Sequence, residues 1–262
     1  GWRTRMQYRS LNGRPALRGH RSHELVQVPE EGCPIAHPAG RSAAEGACST
    51  AEQVIRRVTK CHTEDREGSV IADGRLVAGG ETMTAHVGQR RWKVGAGGFW
   101  QVHPGAAEAL ADAVVGGLEP HQGDEALDLY CGVGLFAGLL ADRGVRVRRA
   151  AVSRQPAALA RRYVPGGPIL AGRVERVLPR MSAKANIVVL DPPRKGAGKA
   201  VVQAVARTSP RVIAHVACDP AALARDLHLF DINGYVPRSI RAFDVFPMTH
   251  HVEAVAILEP KV

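Results

Sequence analysis

The stretch that decides the fold is Asp128-Leu-Tyr-Cys-Gly132-Val-Gly134-Leu-Phe136. It predicts a buried strand that ends in an acid, followed by a glycine turn into a helix, because glycine lets the backbone approach a ligand closely. A dinucleotide site would need a ribose-binding acid about 20 residues later, and none stands near Arg154. The strand-end Asp128 favours a ligand with a positive amino group, such as S-adenosylmethionine, with a plain tight turn as the alternative.

Around this stretch, short β runs alternate with helical segments rich in Ala and Leu. The runs lie at residues 126–130, 145–152, 186–190 and 211–217. Such alternation predicts an α/β fold with a doubly wound, mostly parallel sheet. Residues 235–243 and 250–258 predict two further strands, and the short Phe246-Pro247 turn between them leaves no room for a crossover helix. The last strands should therefore pair antiparallel.

The first 30 residues predict a small antiparallel β unit with a hairpin at Asn12-Gly13. Apolar residues alternate with Arg3, Arg5, Gln7 and Arg9, which indicates one basic, solvated face. Six arginines precede the first acid, at positions 3, 5, 9, 14, 18 and 21. This face suits phosphate groups, and a solvated edge strand without a ligand is the alternative.

Residues 32–98 carry weaker signals, with a short helix at 49–58 and short strands within 68–94. A glycine-rich loop at 95–98 precedes a helix predicted from Pro104 to Val115. We place the domain boundary near Gly95. The predicted domains are a smaller, mainly β region at 1–95 and an α/β domain at 96–262.

Composition restricts the class of protein. The chain has 262 residues and a formal net charge of +10, which points to a polyanionic partner or to an Arg-rich usage. It contains no run of 18 apolar residues and no apolar signal segment, so we expect no membrane association. Its five cysteines form no close pair. These features predict a cytoplasmic protein.

Three further segments carry groups suited to chemistry. Asp191 follows the apolar run 187–190, at the sheet edge where α/β proteins bind ligands. Cys218 stands between a strand and a helix that starts with Asp219-Pro220, and a helix N-terminus favours a thiolate. Glu253 lies in an otherwise apolar strand, where burial raises a carboxyl pKa towards the range of a general base. A surface turn, an inert core thiol and a structural ion pair are the respective alternatives.

Five ordered motifs between residues 99 and 253 resemble those of the RNA 5-methyluridine (uracil-5) methyltransferases. They are F-W-Q-V-H-P at 99–104, D-L-Y-C-G-V-G-L-F at 128–136, D-P-P-R-K-G at 191–196, A-C-D-P-A-A-L-A-R-D at 217–226 and F-D-V-F-P-M-T-H-H-V-E at 243–253. The resemblance implies a Rossmann-like, seven-stranded methyltransferase sheet whose last strand is antiparallel. It also implies an enzyme that uses S-adenosylmethionine.

The resemblance implies roles for individual residues. Cys218 falls on the nucleophile, which adds to C6 of uracil so that C5 gains electron density. Glu253 falls on the base that removes the C5 proton. The cofactor contacts fall on Gln101, Asp128, Tyr130, Gly132, Gly134 and Asp191. The expected RNA contacts are Asp191, the aromatic Phe99 against a flipped base, and the arginines Arg3, Arg5 and Arg9.

The chain also departs from the family's pattern. Many members begin with an RNA-binding β-barrel, which we expect this chain to lack. Some hold an iron–sulfur cluster on four cysteines, of which only Cys33 matches here, so we expect no cluster and no metal. The region between Cys33 and Phe99 looks shorter than usual. The second strand of the sheet domain ends at Ser153-Arg154 without the usual ribose-binding acid, and Glu175 or Asp142 could supply one from a loop.

The sequence thus predicts a monomeric RNA methyltransferase that forms 5-methyluridine in tRNA or rRNA. A cytosine-5 enzyme fits less well, because such enzymes usually place a cysteine where Arg194 follows Pro193. The alternative from another class is an RNA-binding protein of the same fold whose methyltransferase activity is weak or lost.

Overall fold

The structure of the chain is a computed structural model that describes residues 3–12, 14–18, 24–36, 58–62, 68–72, 75–151, 154–164, 167–181 and 184–262. It divides into two compact units, residues 1–104 and 105–262. The sequence placed the division nearer to Gly95. The helix predicted at 49–58 lies almost wholly outside the described residues.

The first unit is built from β-strands. They are β1 (Arg5–Leu11), β2 (Arg14–Arg18), β3 (Leu25–Gln27), β4 (Val58–His62), β5 (Gly68–Ala72), β6 (Arg75–Ala78), β7 (Thr82–Val87) and β8 (Arg90–Gly95). The first six form one sheet in the order β3-β2-β1-β4-β5-β6, and β7 pairs with β8. The β1–β2 hairpin turns at Asn12, whose φ of 53° suits the predicted turn.

Strand β1 shows the alternation that its sequence predicts. Met6 and Tyr8 are buried and pack with Cys33 and Ala36, whereas Arg9 keeps some solvent exposure. The strand pairs with β2 on one side and β4 on the other. Strand β1 therefore lies between β2 and β4 in the sheet, and phosphate binding by its basic face stays a prediction.

The second unit alternates strands and helices. Its strands are β9 (Glu125–Leu129), β10 (Arg146–Ala151), β11 (Ile169–Ala171), β12 (Ile187–Leu190), β13 (Val212–Ala217), β14 (Tyr235–Phe243) and β15 (Glu253–Pro260). Its helices are α1 (Ala106–Leu118), α2 (Leu135–Ala141), α3 (Arg154–Tyr163), α4 (Val174–Val177), α5 (Gly198–Ala206) and α6 (Pro220–Ile232), with a 3₁₀ turn at Leu178–Met181.

The seven strands form one sheet in the order β11-β10-β9-β12-β13-β15-β14. Strands β9 to β13 are parallel to one another, and β15 runs antiparallel to both β13 and β14. This confirms the predicted doubly wound sheet with an antiparallel last strand. The chain winds outwards in opposite directions from β9, so ligands are expected at the carboxyl ends of β9 and β12.

Alternate strand residues face two apolar layers. One layer joins Leu127, Leu129, Val188 and Leu190 to side chains from α5 and α6. On the other face α1 packs closely against the sheet, since a Cβ on Gly117 would collide with the Ile257 side chain. Because both faces are covered, the strands read as continuous apolar runs.

Arg149 is a fully buried charge in the middle of this fold. Its guanidinium donates to the carbonyl oxygens of Ala160 at 3.1 Å, Val164 at 2.9 Å and Gly167 at 2.6 Å. These carbonyls lie at and beyond the C-terminal end of α3, where a helix lacks donors and favours a cation. Arg149 thus fixes the end of α3 to β10.

We expect Arg149→Met to lower the free energy of unfolding by about 2 to 4 kcal/mol, because three carbonyls lose a charged donor. Urea denaturation measures this change. Arg146→Met is the matched control, since Arg146 lies on the same strand with its side chain 68% exposed and pairs only with Glu125. The control should change stability by less than about 0.5 kcal/mol, and equal losses in the two variants would contradict this account of Arg149.

Candidate active site

Asp128 ties the end of β9 to the start of α2. Its Oδ2 accepts the backbone N–H of Ala137 at 2.9 Å. The residue is fully buried, and its Oδ1 has no hydrogen-bond partner among the described residues. Burial raises the pKa of Asp128 to about 8, and the charge of Asp191 adds to this effect. The free oxygen is therefore an acceptor for which a cationic or N–H ligand would compensate.

The turn after β9 needs left-handed backbone at three positions, with φ values of 67° at Tyr130, 53° at Gly132 and 90° at Gly134. A Cβ on Gly134 would lie 2.8 Å from Val164 Cγ2, so this glycine permits close packing. A Cβ on Gly132 would meet no atom within 4 Å. Gly132 therefore borders open space in the turn that follows the Asp128 strand, as a ligand-binding turn requires.

The sheet brings the second group of site residues together. Asp191 directly follows β12, which is parallel to β13, and Cys218 directly follows β13. Glu253 opens β15, where the register places Ala254 opposite Ala217. One further step along the two antiparallel strands sets Glu253 beside Cys218. At this position the charge of Glu253 raises the pKa of Cys218.

Electrostatics differ between these groups. Burial, together with a smaller effect of the Asp191 charge, raises the pKa of Glu253 to about 8. Burial raises the pKa of Asp191 to about 7. The Cys218 thiol is half-buried, and its pKa is raised by burial and by Glu253 but lowered by Arg194. Asp191 acts on Asp128, Cys218 and Glu253 alike, so all four groups belong to one site.

The helix after Cys218 begins as the sequence predicts. The Asp219 side chain caps α6 by accepting the Ala222 N–H at 2.7 Å, and Pro220 fills the first turn. Beside it, Arg194 Nη2 lies 3.2 Å from His251 Nε2, which links the loop after β12 to the segment before β15. We did not single out Arg194 and His251 from the sequence, although both lie inside the quoted motifs.

Other predicted site residues lie in the first unit. Gln101 is buried, and Phe99 has 69% of its surface exposed. Arg3 is half-buried next to β1, Arg9 is half-buried on it, and Arg5 is the first residue of that strand. Cys33 is buried within the cluster around Met6 and Tyr8. Their roles stay predictions.

The sequence predicts that the usual ribose-binding acid is missing at Ser153-Arg154, with Glu175 or Asp142 as the alternative source of a carboxylate. Ser153 lies outside the described residues. Asp142 follows the last residue of α2, at the end of the helix that is remote from the glycine turn. Glu175 lies near the turn, because its charge raises the pKa of Tyr130, although it is also paired with Arg173 at 2.6 Å. Of the two loop acids, Glu175 is thus the one beside the turn.

The residue ranges that the structure describes bear on metal binding and on membrane insertion. Within those ranges no group of three or more His, Cys, Asp or Glu side chains is arranged to hold a metal ion. Among the helices of the same ranges, none has the length and apolar character needed to span a membrane.

Comparisons with known proteins agree with this geometry. The family profile described as tRNA (Uracil-5-)-methyltransferase matches residues 173–261. An RNA methyltransferase of Streptomyces avermitilis is 42% identical over 301 aligned positions, covering 99% of this chain and 67% of that protein. The chain belongs to this family of RNA methyltransferases. A relative from Streptomyces coelicolor is also 42% identical, with 99% of this chain and 64% of that protein covered.

The family members are longer than the chain, which spans about two thirds of the length of these curated relatives. A solved structure shares the fold: the tRNA (uracil-54, C5)-methyltransferase of Pyrococcus abyssi in complex with S-adenosyl-L-homocysteine. The two structures superpose with a TM-score of 0.78 at 24% identity, over 98% of this chain and 75% of the archaeal one.

The pKa of Asp128 leads to a prediction about pH. The unfolded carboxyl ionises near 3.8, whereas the folded one ionises near 8. Between these values the folded state binds more protons, so stability should fall as pH rises through this window, by about 1.4 kcal/mol per pH unit for this group. Asp128→Asn should lose the pH dependence of stability that Asp128 contributes. At pH 8 the variant should therefore unfold at a higher temperature than the parent.

Thermal unfolding at pH 5, 6, 7 and 8 measures this effect. Asn still accepts the Ala137 N–H but carries no charge, so the same variant should lose affinity for S-adenosylhomocysteine in a calorimetric titration. Asp112→Asn, at an exposed position on α1, serves as the control and should keep the parent's pH dependence. Parallel pH profiles for Asp128→Asn and the parent would show that Asp128 is ionised across the whole range.

Proposed function

We propose that the chain transfers a methyl group from S-adenosylmethionine to C5 of a uridine in RNA through a covalent adduct of Cys218. The observation that carries the proposal is the meeting of a thiol, Cys218, and a buried carboxyl, Glu253, across two antiparallel strands beside Asp191. A thiol for C6 of the base and a carboxyl for the C5 proton are the two groups that this reaction requires.

The residues around β9 fit S-adenosylmethionine. Asp128 offers a buried carboxylate oxygen without a hydrogen-bond partner among the described residues, and Gly132 borders open space. Asp128 would hold the positive amino group, with Tyr130, Gly134 and Gln101 as further expected contacts. When bound, S-adenosylmethionine supplies an electrophilic methyl group. Glu175 is the candidate to accept from the ribose hydroxyls.

Cys218 begins the reaction on the uracil ring. Its thiolate forms a bond to C6, and the π electrons of the C5–C6 double bond move towards C5 and the O4 carbonyl. Burial and Glu253 oppose loss of the thiol proton, whereas Arg194 favours it. The guanidinium of Arg194 therefore activates the nucleophile. C5, once enriched in electrons, is the carbon that accepts the methyl group.

Glu253 completes the reaction. After methylation, C5 still carries a proton, which the Glu253 carboxylate accepts. The electrons of that C–H bond restore the C5–C6 double bond, the bond from Cys218 to C6 breaks, and the thiolate leaves. A carboxyl whose pKa is near 8 is a stronger base than an exposed glutamate, so the burial of Glu253 serves this step.

An RNA substrate is supported by the chemistry of the expected contact residues and by the similarity to a tRNA methyltransferase of known structure. Asp191 would accept an N–H from the uracil edge, and Phe99 would stack on a flipped base. Arg3, Arg5 and Arg9 would contact phosphates. The Pyrococcus abyssi protein is named for uracil-54 of tRNA, which makes tRNA the first RNA to test, with rRNA as the second.

Methyl transfer to unmodified RNA tests the proposed function. The protein should convert uridine to 5-methyluridine when incubated with labelled S-adenosylmethionine and separate tRNA and rRNA fractions, with product analysis by mass spectrometry. Cys218→Ala should abolish transfer, and it should remove the stable protein–RNA band that 5-fluorouridine RNA forms, since fluorine cannot leave as a proton. Cys33→Ala, which changes a buried thiol of the first unit, should retain both. A band that survives in Cys218→Ala would refute the nucleophile, and RNA binding without any transfer by the parent would favour the RNA-binding alternative.

Glu253→Gln should separate the two halves of the reaction. The amide cannot accept the C5 proton, so Cys218 should add to the base and C5 should be methylated, but the adduct should not resolve. Denaturing electrophoresis with natural RNA should therefore reveal a trapped protein–RNA complex in this variant alone. Glu259→Gln is the control, because Glu259 is a partly exposed acid on the same strand. Normal turnover by Glu253→Gln would assign the proton to another base.

A further inference from the structure

A second buried carboxylate, Asp226, lies beneath the site without a part in the chemistry described above. It is 2% exposed. It accepts the backbone N–H groups of Ala197 at 2.7 Å and Gly198 at 3.0 Å. It also lies 3.0 Å from His215 Nε2. Three donors therefore converge on one carboxylate.

These donors come from three different parts of the site. Ala197 and Gly198 end the loop that starts at Asp191 and open helix α5, where backbone N–H groups lack partners within the helix. His215 lies on β13, three residues before Cys218. Asp226 itself lies on α6, the helix that begins just after Cys218. One side chain thus joins the loop, the strand and the helix that surround the thiol.

The contact requires the glycine at position 196. Its φ is 82°, and a Cβ there would lie 2.7 Å from Asp226 Oδ2. Any larger residue would push the loop away from the carboxylate. The motif D-P-P-R-K-G therefore ends in glycine for a physical reason, namely the close approach of the loop backbone to Asp226.

The charge state of Asp226 suits a fixed anchor. Burial raises its pKa, but the hydrogen bonds from His215, Ala197 and Gly198 outweigh that effect and hold the pKa below its ordinary value. His215 presents Nε2 to this carboxylate, while its Nδ1 lies 3.1 Å from the Val216 carbonyl oxygen. Both ring nitrogens thus face oxygen atoms that can accept a hydrogen bond.

We infer that Asp226, oriented by His215, is a positioning residue: it holds the loop that carries Asp191 and Arg194 against the end of β13 that carries Cys218. The inference rests on the proposed function only in taking Cys218 as the reacting group. The reactivity of the Cys218 thiol then depends on Asp226, a carboxylate that does not touch substrate.

The expected consequence follows from the charges that face Cys218. They are Glu253 from β15, and Arg194 and Asp191 from the loop after β12. On that loop Arg194 affects the thiol more strongly than Asp191 does, and it stabilises the thiolate. If the loop is released, the Cys218 thiolate should therefore lose more stabilisation from Arg194 than repulsion from Asp191. The pKa of Cys218 should rise, and its thiolate should become scarcer at neutral pH.

Alkylation of Cys218 tests the inference without RNA or cofactor. The rate of reaction with iodoacetamide is measured against pH in the full chain, and the modified residue is located by mass spectrometry. In Asp226→Asn we expect the midpoint of the profile to move to higher pH, so that alkylation at pH 7.5 is roughly three- to tenfold slower. Asp231→Asn is the matched control, an acid on the same helix that is half-exposed and paired with Lys261, and it should retain the parent profile.

Two further variants keep the test decisive. Gly196→Ala should displace the loop while leaving Asp226 intact, and it should shift the alkylation profile in the same direction. His215→Gln retains a donor towards Asp226 and should lie nearer to the parent than His215→Leu. Thermal unfolding of every variant is recorded in parallel.

Folded Asp226→Asn or Gly196→Ala protein whose Cys218 profile is unchanged or moves to lower pH would overturn the inference and leave Asp226 a structural residue. The proposed function fails by a different result, namely methyl transfer by Cys218→Ala. The two failures are therefore distinguishable.

Discussion

The burial of three carboxyl groups at one edge of the sheet is the constraint on which the site depends. Asp128, Asp191 and Glu253 all have pKa values raised to about 7 or 8 by burial, and the charge of Asp191 makes ionisation of the other two harder still. In an ordinary fold such a cluster would be destabilising. It is tolerable where a cation or N–H donor compensates for it. Such a cluster is typical of a ligand-binding or reaction site rather than of a core.

The topology of the sheet explains how these groups meet. Asp128, Asp191 and Cys218 lie at or after the carboxyl ends of parallel strands, which share one edge. Glu253 is the first residue of its strand, so in a parallel strand it would lie at the opposite edge. The antiparallel direction of β15 brings it to the same edge as Cys218. The reversal of the last strand therefore places Glu253, the proposed base, beside Cys218, the proposed nucleophile.

Most of the second unit could be predicted because its strands are buried on both faces and read as apolar runs. The predicted runs differ from β9 and β10 by one residue at each end, and from β12 and β13 by one residue at the start only. Strand β11 was missed because its three residues leave too short a pattern. Arg149 and Asp226 were also missed, since each acts through backbone groups far along the chain, and a sequence does not show which carbonyl or N–H group lies opposite a side chain. The glycine at 196 was the visible sign of such a contact.

The Cys218 thiol shows why position and charge have to be considered together. In the proposed reaction Glu253 must be close enough to take a proton from C5, yet its negative charge at that distance opposes formation of the thiolate. Burial eases this conflict, because a carboxyl with a pKa near 8 exerts no repulsion on the thiol while it is protonated, although it must release that proton before it can accept the one from C5. Arg194 offsets the repulsion that remains. Since Arg194 is on a loop and not on a strand, its effect lasts only while that loop is fixed, and the buried carboxylate of Asp226 is the group that contacts the loop's far end. The reactivity of Cys218 at the sheet edge thus depends on the hydrogen-bonded carboxylate of Asp226 inside the fold.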